Sequence, residues 1–233
     1  MNKINYKIRV SEAADVSSRL VSLFAAEVNL QKDSFLKNLF DKIEEQTEAI
    51  SMAIKKETAV SKLEEADNLR DETIFNLNNI LVGYRSMRSV EIKESAEKVY
   101  AVFQRYGTRL TRENYSSASA HIDSLLRDLA VPEIDAAVEK LAGVEETIEE
   151  LRVRQNAFHN ERMAYEKALS VQETIATATS IKKPLLDLIN GKLVTFLTAM
   201  EGEARYENLT KVITQVIDSA NEIISRRNKK SEK

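Results

Sequence analysis

Very little in this sequence can stop a helix. The chain of 233 residues holds five glycines and two prolines, none beside another. Sheets need turns built from such residues, so their scarcity, set against abundant Ala, Glu, Lys, Leu and Ile, argues for helices throughout. Punctuation is confined to Asn29–Asp33, Gly83, Gly107–Thr111, Ala130–Pro132, Pro184 and Glu201–Gly202. Between these points the apolar residues recur at steps of three and four, the helical period. The spacing predicts helices over about 11–28, 33–83, 91–106, 112–129, 133–182, 185–200 and 204–227. Two of them run for about 50 residues, on the order of 75 Å at 1.5 Å per residue. Helices of that length need neighbours along their whole course. The expected fold is therefore all-α: an elongated up-and-down bundle, one domain over residues 1–233, with 43% hydrophobic residues to fill its core.

The two long segments echo one another. Lys42–Ile50 (KIEEQTEAI) matches Gly143–Leu151 (GVEETIEEL), and Glu72–Ile74 matches Glu173–Ile175 at the same offset. Gly83 then falls on Pro184, so both segments are expected to reach a breaker together. Beyond it the offset shortens, and His121–Ser124 meets Val216–Ser219. The reading is an internal pseudo-repeat with halves of about 11–107 and 111–227. The final stretch, Arg226–Lys233, loses the apolar period and reads as a basic tail, disordered over 228–233.

Several functional classes lose support. Without cysteine there is no disulfide, thiolate metal site or thiol nucleophile. A net charge of −3 gives no global attraction to nucleic acid. The longest nearly apolar run, Leu20–Val28, is far short of the ~20 residues that span a bilayer. The start, MNKINYKIRVSEAAD, lacks the apolar run of a secretory signal, so a cytoplasmic location is expected.

Motifs for chemistry are equally thin. Di-iron bundles need Glu-x-x-His pairs, but Asn156 stands three residues before His159 and Ala118 three before His121. Two histidines cannot supply a zinc set, so no metal is expected. His121-Ile-Asp-Ser124 splays around one helix and cannot form a relay by itself; Ile122, Leu125, Leu126 and Leu129 read as its packing face. Isolated glycines form no phosphate loop, and no cofactor or catalytic residue is assigned. The charged pairs Glu44-Glu45, Glu64-Glu65 and Glu145-Glu146 read as solvated flanks. Residues 85–112 carry Arg85, Arg88, Lys93, Lys98, Arg105, Arg109 and Arg112 among Tyr84, Tyr100, Phe103 and Tyr106. Such interleaving can bind single-stranded nucleic acid. However, Ile92, Ala96, Val99, Phe103 and Tyr106 fall on one helical stripe, which places the aromatics in the core.

The segment LRVRQNAFHNERMAYE, Leu151–Glu166, is the densest in polar side chains. Stepped by fours and threes from Val144, its seam reads Val144, Ile148, Leu151, Gln155, Phe158, Arg162, Tyr165, Leu169, Gln172, Ala176. Gln155, Arg162 and Gln172 interrupt an apolar seam, where a polar group fixes register and needs a mate. The internal echo places Glu57 and Ser61 on the corresponding stretch of the first long segment, and Arg162 is expected to meet an acidic side chain of that segment, Glu57 or Glu64. His159, one step off the seam, reads as a flank residue.

Leu151-x-x-Arg154-Gln155-Asn156-Ala157-Phe158 with Tyr165 resembles an L-x-x-R-N-x-A-F signature of uncharacterised bacterial all-helical proteins, with Gln155 as an added residue. Asp67-x-x-Arg70-Asp71 with Thr73 and Phe75, Phe103–Gly107, and Tyr206–Arg227 are similar to other pieces of that family. The resemblance covers most of the chain and implies a fold, the family having no established activity. Some members carry a hemagglutinin label, which implies surface adhesion. The functional expectation is a non-enzymatic module that binds another protein or itself through a helical face. The alternative is a surface-associated adhesin; the second alternative is an enzyme or small-ligand binder whose site gathers Gln155, Arg162 and glutamates between the long helices.

Overall fold

The computed structural model describes residues 1–170 and 176–231, with side chains through residue 229. Every regular element among the described residues is helical. Helix α1 (Val10–Ala26) starts where Glu12 turns its carboxylate back to the Arg9 amide at 2.9 Å, satisfying a donor the helix leaves free. Helix α2 (Ser34–Arg85) is 52 residues long. Asp33 begins it by accepting from the Phe35 and Leu36 amides at 3.1 Å. Helix α3 (Val90–Tyr106) ends at Gly107, whose φ of 66° suits glycine. Asn114 caps α4 (Tyr115–Leu129) by accepting from the Ser117 amide at 3.1 Å. Then come α5 (Pro132–Val138), α6 (Val144–Ser170), α7 (Ala178–Leu188), a π turn (Ile189–Leu193), α8 (Val194–Ala199) and α9 (Ala204–Ser231).

The second long helix expected over 133–182 is interrupted. Helical geometry lapses after Val138, and α6 begins at Val144 behind Gly143. Gly143 has φ +83°, and a Cβ there would stand 3.2 Å from Ile80 Cδ1. Backbone passing so close to α2 in that conformation admits glycine best. Helix also fails before α7, where Thr177 is extended at φ −61°, ψ 148° and its hydroxyl accepts from the Ser180 amide at 3.2 Å. Neither breaker of the internal echo ends a helix. Helix α2 continues through Gly83 to Arg85, and Pro184 lies inside α7. The carbonyl that Pro184 leaves unpaired belongs to exposed Ser180. Helix α9 also outlasts its expected end, so residues 228–231 are helical and not disordered. Arg226 pairs with Glu222 one turn back at 2.5 Å, and Arg227 donates to Glu12 at 2.5 Å and to the Lys7 carbonyl at 3.0 Å. Residues 232 and 233 of that expected tail lie outside the described residues.

By compactness the chain divides into two units, Met1–Glu57 with Gln172–Lys233 and Thr58–Val171. The boundaries fall inside α2 and just after α6, away from the Gly107–Thr111 stretch that separates the pseudo-repeat halves. In the first unit α1 and α9 run antiparallel, with Glu12 held by Arg227 at one end and Glu27 by Asn208 at the other. Their shared core includes Leu20, Leu36, Ile43, Ile50, Leu185, Leu193, Leu209, Ile213 and Ile217, with Phe24 stacked on Phe40 at 4.1 Å. Residues 3–5 run as a strip held by two asparagines, with Ile4 buried in that core and Lys3 and Asn5 exposed. Asn190, 2% exposed in the π turn, accepts from the Ile4 amide at 2.8 Å and donates to the Ile4 carbonyl at 2.9 Å. Asn221 on α9 does the same to the Asn5 amide and the Lys3 carbonyl, at 2.9 Å each. Ile4 and Ile8 can then be buried without stranding backbone groups.

The second unit packs the later half of α2 with α3, α4, α5 and α6. Its main core runs from Ile74, Leu77 and Leu81 through Val99, Phe103, Ile122, Leu125 and Leu129 to Leu141, Val144 and Leu151. A smaller cluster of Leu63, Ala66 and Phe158 has Tyr115 and Tyr165 against it. Between these two apolar zones the interior turns polar.

Candidate functional site

That polar zone is built on Arg70. Along α2 the buried positions Leu63, Ala66, Arg70, Thr73 and Leu77 follow steps of three and four, so one inward position of an apolar seam carries a guanidinium. Arg70 is 1% exposed. Its Nη1 donates to Ser119 Oγ on α4 and to Gln155 Oε1 on α6, at 3.1 Å each. Its Nη2 donates to Asp67 Oδ1, one turn back, at 2.6 Å. The guanidinium plane lies over the Phe158 ring, 3.8 Å from its centre, and Tyr115 meets the same ring edge-on at 5.2 Å. Arg70 Nε is buried without a hydrogen-bond partner among the described residues. A desolvated cation over an aromatic face is worth ~2 kcal/mol, which offsets part of the cost of that orphaned donor.

Gln155, 2% exposed, joins the three helices from the other side. Its Nε2 lies 2.9 Å from Asp123 Oδ1, 3.0 Å from His159 Nε2 and 3.2 Å from the Ser119 carbonyl. An amide has two protons for these three acceptors, so the acceptors compete. Where His159 accepts, its own proton sits on Nδ1. Asp71, next to Arg70, is half-buried. Burial, reinforced by the Asp67 charge and opposed by Arg70, pushes its carboxyl from 3.8 up to about 6. Burial also raises the Tyr115 phenol, with Asp67 and Glu64 adding to it.

The sequence-derived candidates separate here. Gln155 has its mates. Arg162 lies two turns further along α6, half-buried, and donates to Ser116 Oγ at 2.9 Å and to Glu166 at 3.0 Å. Neither Glu57 nor Glu64 is its partner. Glu57 instead accepts from the Ala178 amide at 2.9 Å, at the start of α7 in the first unit, where a carboxylate suits a helix's free amides. The echo relates equivalent positions of the two segments rather than facing ones, and in the fold Arg162 meets Ser116 of α4 instead. Gln172 lies outside the described residues. His121 accompanies Glu113 at 2.7 Å, away from Arg70's partners.

Arg70 itself escaped the seam reading, which was applied to the second long segment alone. The same stepping from Leu63 exposes it. Two pieces that carried the family resemblance now touch, since Arg70 of the Asp67–Asp71 stretch lies on Phe158 of the Leu151–Phe158 stretch.

The donors and acceptors of the cluster mostly face one another, and their evident effect is to hold α2, α4 and α6 at one register. Grooves on the surface lie elsewhere. One of about 260 Å³ runs between α1 and α9 beside Glu12 and Ile223, one of about 410 Å³ lies on outer α2 beside Glu64 and Glu72, and one of about 700 Å³ sits at the α2–α3 corner. Among the described residues no three His, Asp or Glu side chains gather to hold a metal ion, and no helix is long and apolar enough to cross a membrane. No curated protein matches the chain, and no solved structure does. A family model, by contrast, matches residues 60–220, a stretch that contains Asp67, Arg70, Ser119, Gln155 and Phe158. The chain belongs to that family, a family of unknown function (DUF6261).

Proposed function

We propose that the chain is a non-enzymatic helical module that binds another protein, or a second copy of itself, through an outward helix face. The observation that carries this reading is the outer face of α2. Phe75 and Val82 stand seven residues apart on it, 45% and 42% exposed. Between them the exposed positions are Asn76 and Asn79, which carry no charge. Covering their exposed half gains about half of the ~1.5–3 kcal/mol that burying a whole side chain gives, and the uncharged stretch between them lowers the desolvation cost. The interior supports the same reading, because Arg70, Gln155 and their partners bond each other and are not aimed at a common vacant point. The cytoplasm is the compartment we assign, consistent with a chain that uses no cysteine.

The test replaces Phe75 and Val82 together by serine. Cross-linking with mass spectrometry in the native cell should lose a specific partner, or light scattering should lose a dimer, while the melting temperature holds. Identical partner sets and identical mass for both proteins would sink the reading. Cell fractionation decides between this and an adhesin, which would be recovered outside the cell.

A further inference from the structure

The basic run over residues 85–112 finds only part of its charge matched within the fold. Arg85 donates to Glu97 at 2.9 Å and lies over the Tyr100 ring at 4.0 Å. Arg105 pairs with Asp128 at 3.2 Å, and Arg109 donates to the Arg105 carbonyl at 3.0 Å. Arg88, Lys93 and Lys98 have no ion pair among the described residues, and all three line the groove of about 700 Å³ at the α2–α3 corner. Met87 and Val90 line it too, 51% and 69% exposed. The turn that presents them is fixed by its backbone, with the Ser86 and Met87 amides bonded to the Gly83 and Tyr84 carbonyls at 3.1 Å. Helix α3 already has an inward apolar face in Ala96, Val99 and Phe103, so Val90 adds nothing to the core. Two adjacent apolar side chains, with three unmatched cations beside them and Glu94 and Glu97 on the same lining, form a small interface core with a charged rim of net positive sign.

We propose that this corner docks an acidic, apolar-sided segment of a partner protein. Carboxylates of that segment meet Arg88, Lys93 and Lys98, and its apolar side chains cover Met87 and Val90. The inference rests on the interaction-module reading and names the chemistry of the partner. Charge placement favours a peptide over a polyphosphate chain. Glu94 and Glu97 also line the groove, and an unbroken row of phosphates cannot avoid them, whereas a peptide can put its carboxylates selectively. The aromatic rings that bases would stack on are engaged, with Tyr100 under Arg85, Phe103 buried, and Tyr106 donating to Asp128 at 2.7 Å. The same glutamates, with Glu91 on the same helix, oppose an anionic membrane surface.

The experiment uses the full chain and a fluorescein-labelled peptide of alternating Glu and Leu, about twelve residues long, followed by anisotropy. Saturable binding is expected, weakening as salt rises from about 50 to about 300 mM. The Arg88→Glu/Lys93→Glu variant should bind at least about tenfold more weakly. Met87→Ser/Val90→Ser, with charge unchanged, should lose at least about threefold. Circular dichroism checks that both variants keep their helices. Absent saturation with the wild type, or equal binding by both variants, overturns the proposal. So does tighter binding of phosphatidylserine vesicles or oligo-dT than of the peptide. A chain that ignores the peptide yet keeps a cellular partner through Phe75 and Val82 removes the corner's role and leaves the module reading standing.

Discussion

Removing the Arg70 side chain would leave Asp67, Ser119 Oγ and Gln155 Oε1 without the donor they share. Arg70→Ala is expected to cost ~3–5 kcal/mol, as for other broken buried charge pairs, read as a lower urea midpoint at unchanged slope. Arg70→Met loses the same hydrogen bonds but keeps contact with Phe158, so a loss smaller by about 1–2 kcal/mol is expected. Equal losses for both variants would show that charge, and not packing on Phe158, dominates. Asp71 gives a second prediction at this scale. Its folded carboxyl titrates near 6 against 3.8 for the ordinary group, so the folded chain holds the proton more tightly. Stability from this group is fullest below about pH 4 and falls as pH rises through about 6. Asp71→Asn should therefore stabilise the chain by about 1–2 kcal/mol at about pH 7, discounted for partial exposure, with the gain fading toward about pH 4. Urea unfolding at both pH values measures it, and a gain that does not vary with pH would refute the assignment.

At the scale of elements, the strip at residues 3–5 depends on Asn190, a residue 2% exposed in a π turn. Asn190→Ala would strand the Ile4 amide and carbonyl at ~1–3 kcal/mol. Trypsin should then cut at Lys7 and Arg9 several-fold faster than in the wild type, before any cleavage inside α9. Unchanged cleavage would mean that Asn221 alone suffices. The elements differ in how plainly the sequence displays them. Helices α1, α3 and α4 were legible because caps or glycines bound their apolar stripes. The break at 139–143 was not, because Glu139, Lys140, Leu141 and Ala142 are good helix formers and Leu141 is buried within two residues of Gly143. Gly143, at φ +83°, is the glycine that the break requires, and its close approach to Ile80 is a tertiary fact. Pro184 misled in the opposite direction, since its cost falls on a carbonyl that water can reach. At the site, the apolar seam identified Gln155. It could not supply Gln155's partners, because Ser119 and Asp123 come from α4 and nothing local points to them.

Across the whole molecule, the second unit is one continuous stretch, Thr58–Val171, and its two apolar clusters draw on residues of that stretch alone. Expressed by itself, it should fold with a helical spectrum and a cooperative melt, keeping the Arg70 network. A gradual, non-cooperative melt would show that it needs the rest of the chain. Residues 1–57, expressed alone, should not fold, because the core around Leu20 and the stacked Phe24 and Phe40 is completed by Leu185, Leu193, Leu209 and Ile213 of α7 to α9 and the π turn. The first unit is thus split around the second, and this nesting sets an order on the ribosome. The inner unit can close as soon as it emerges, while the early helices wait for the last ones. At ~5–20 residues per second that wait lasts on the order of ten seconds. Over that interval the apolar face of α1 is left without the α9 face that covers it in the folded chain.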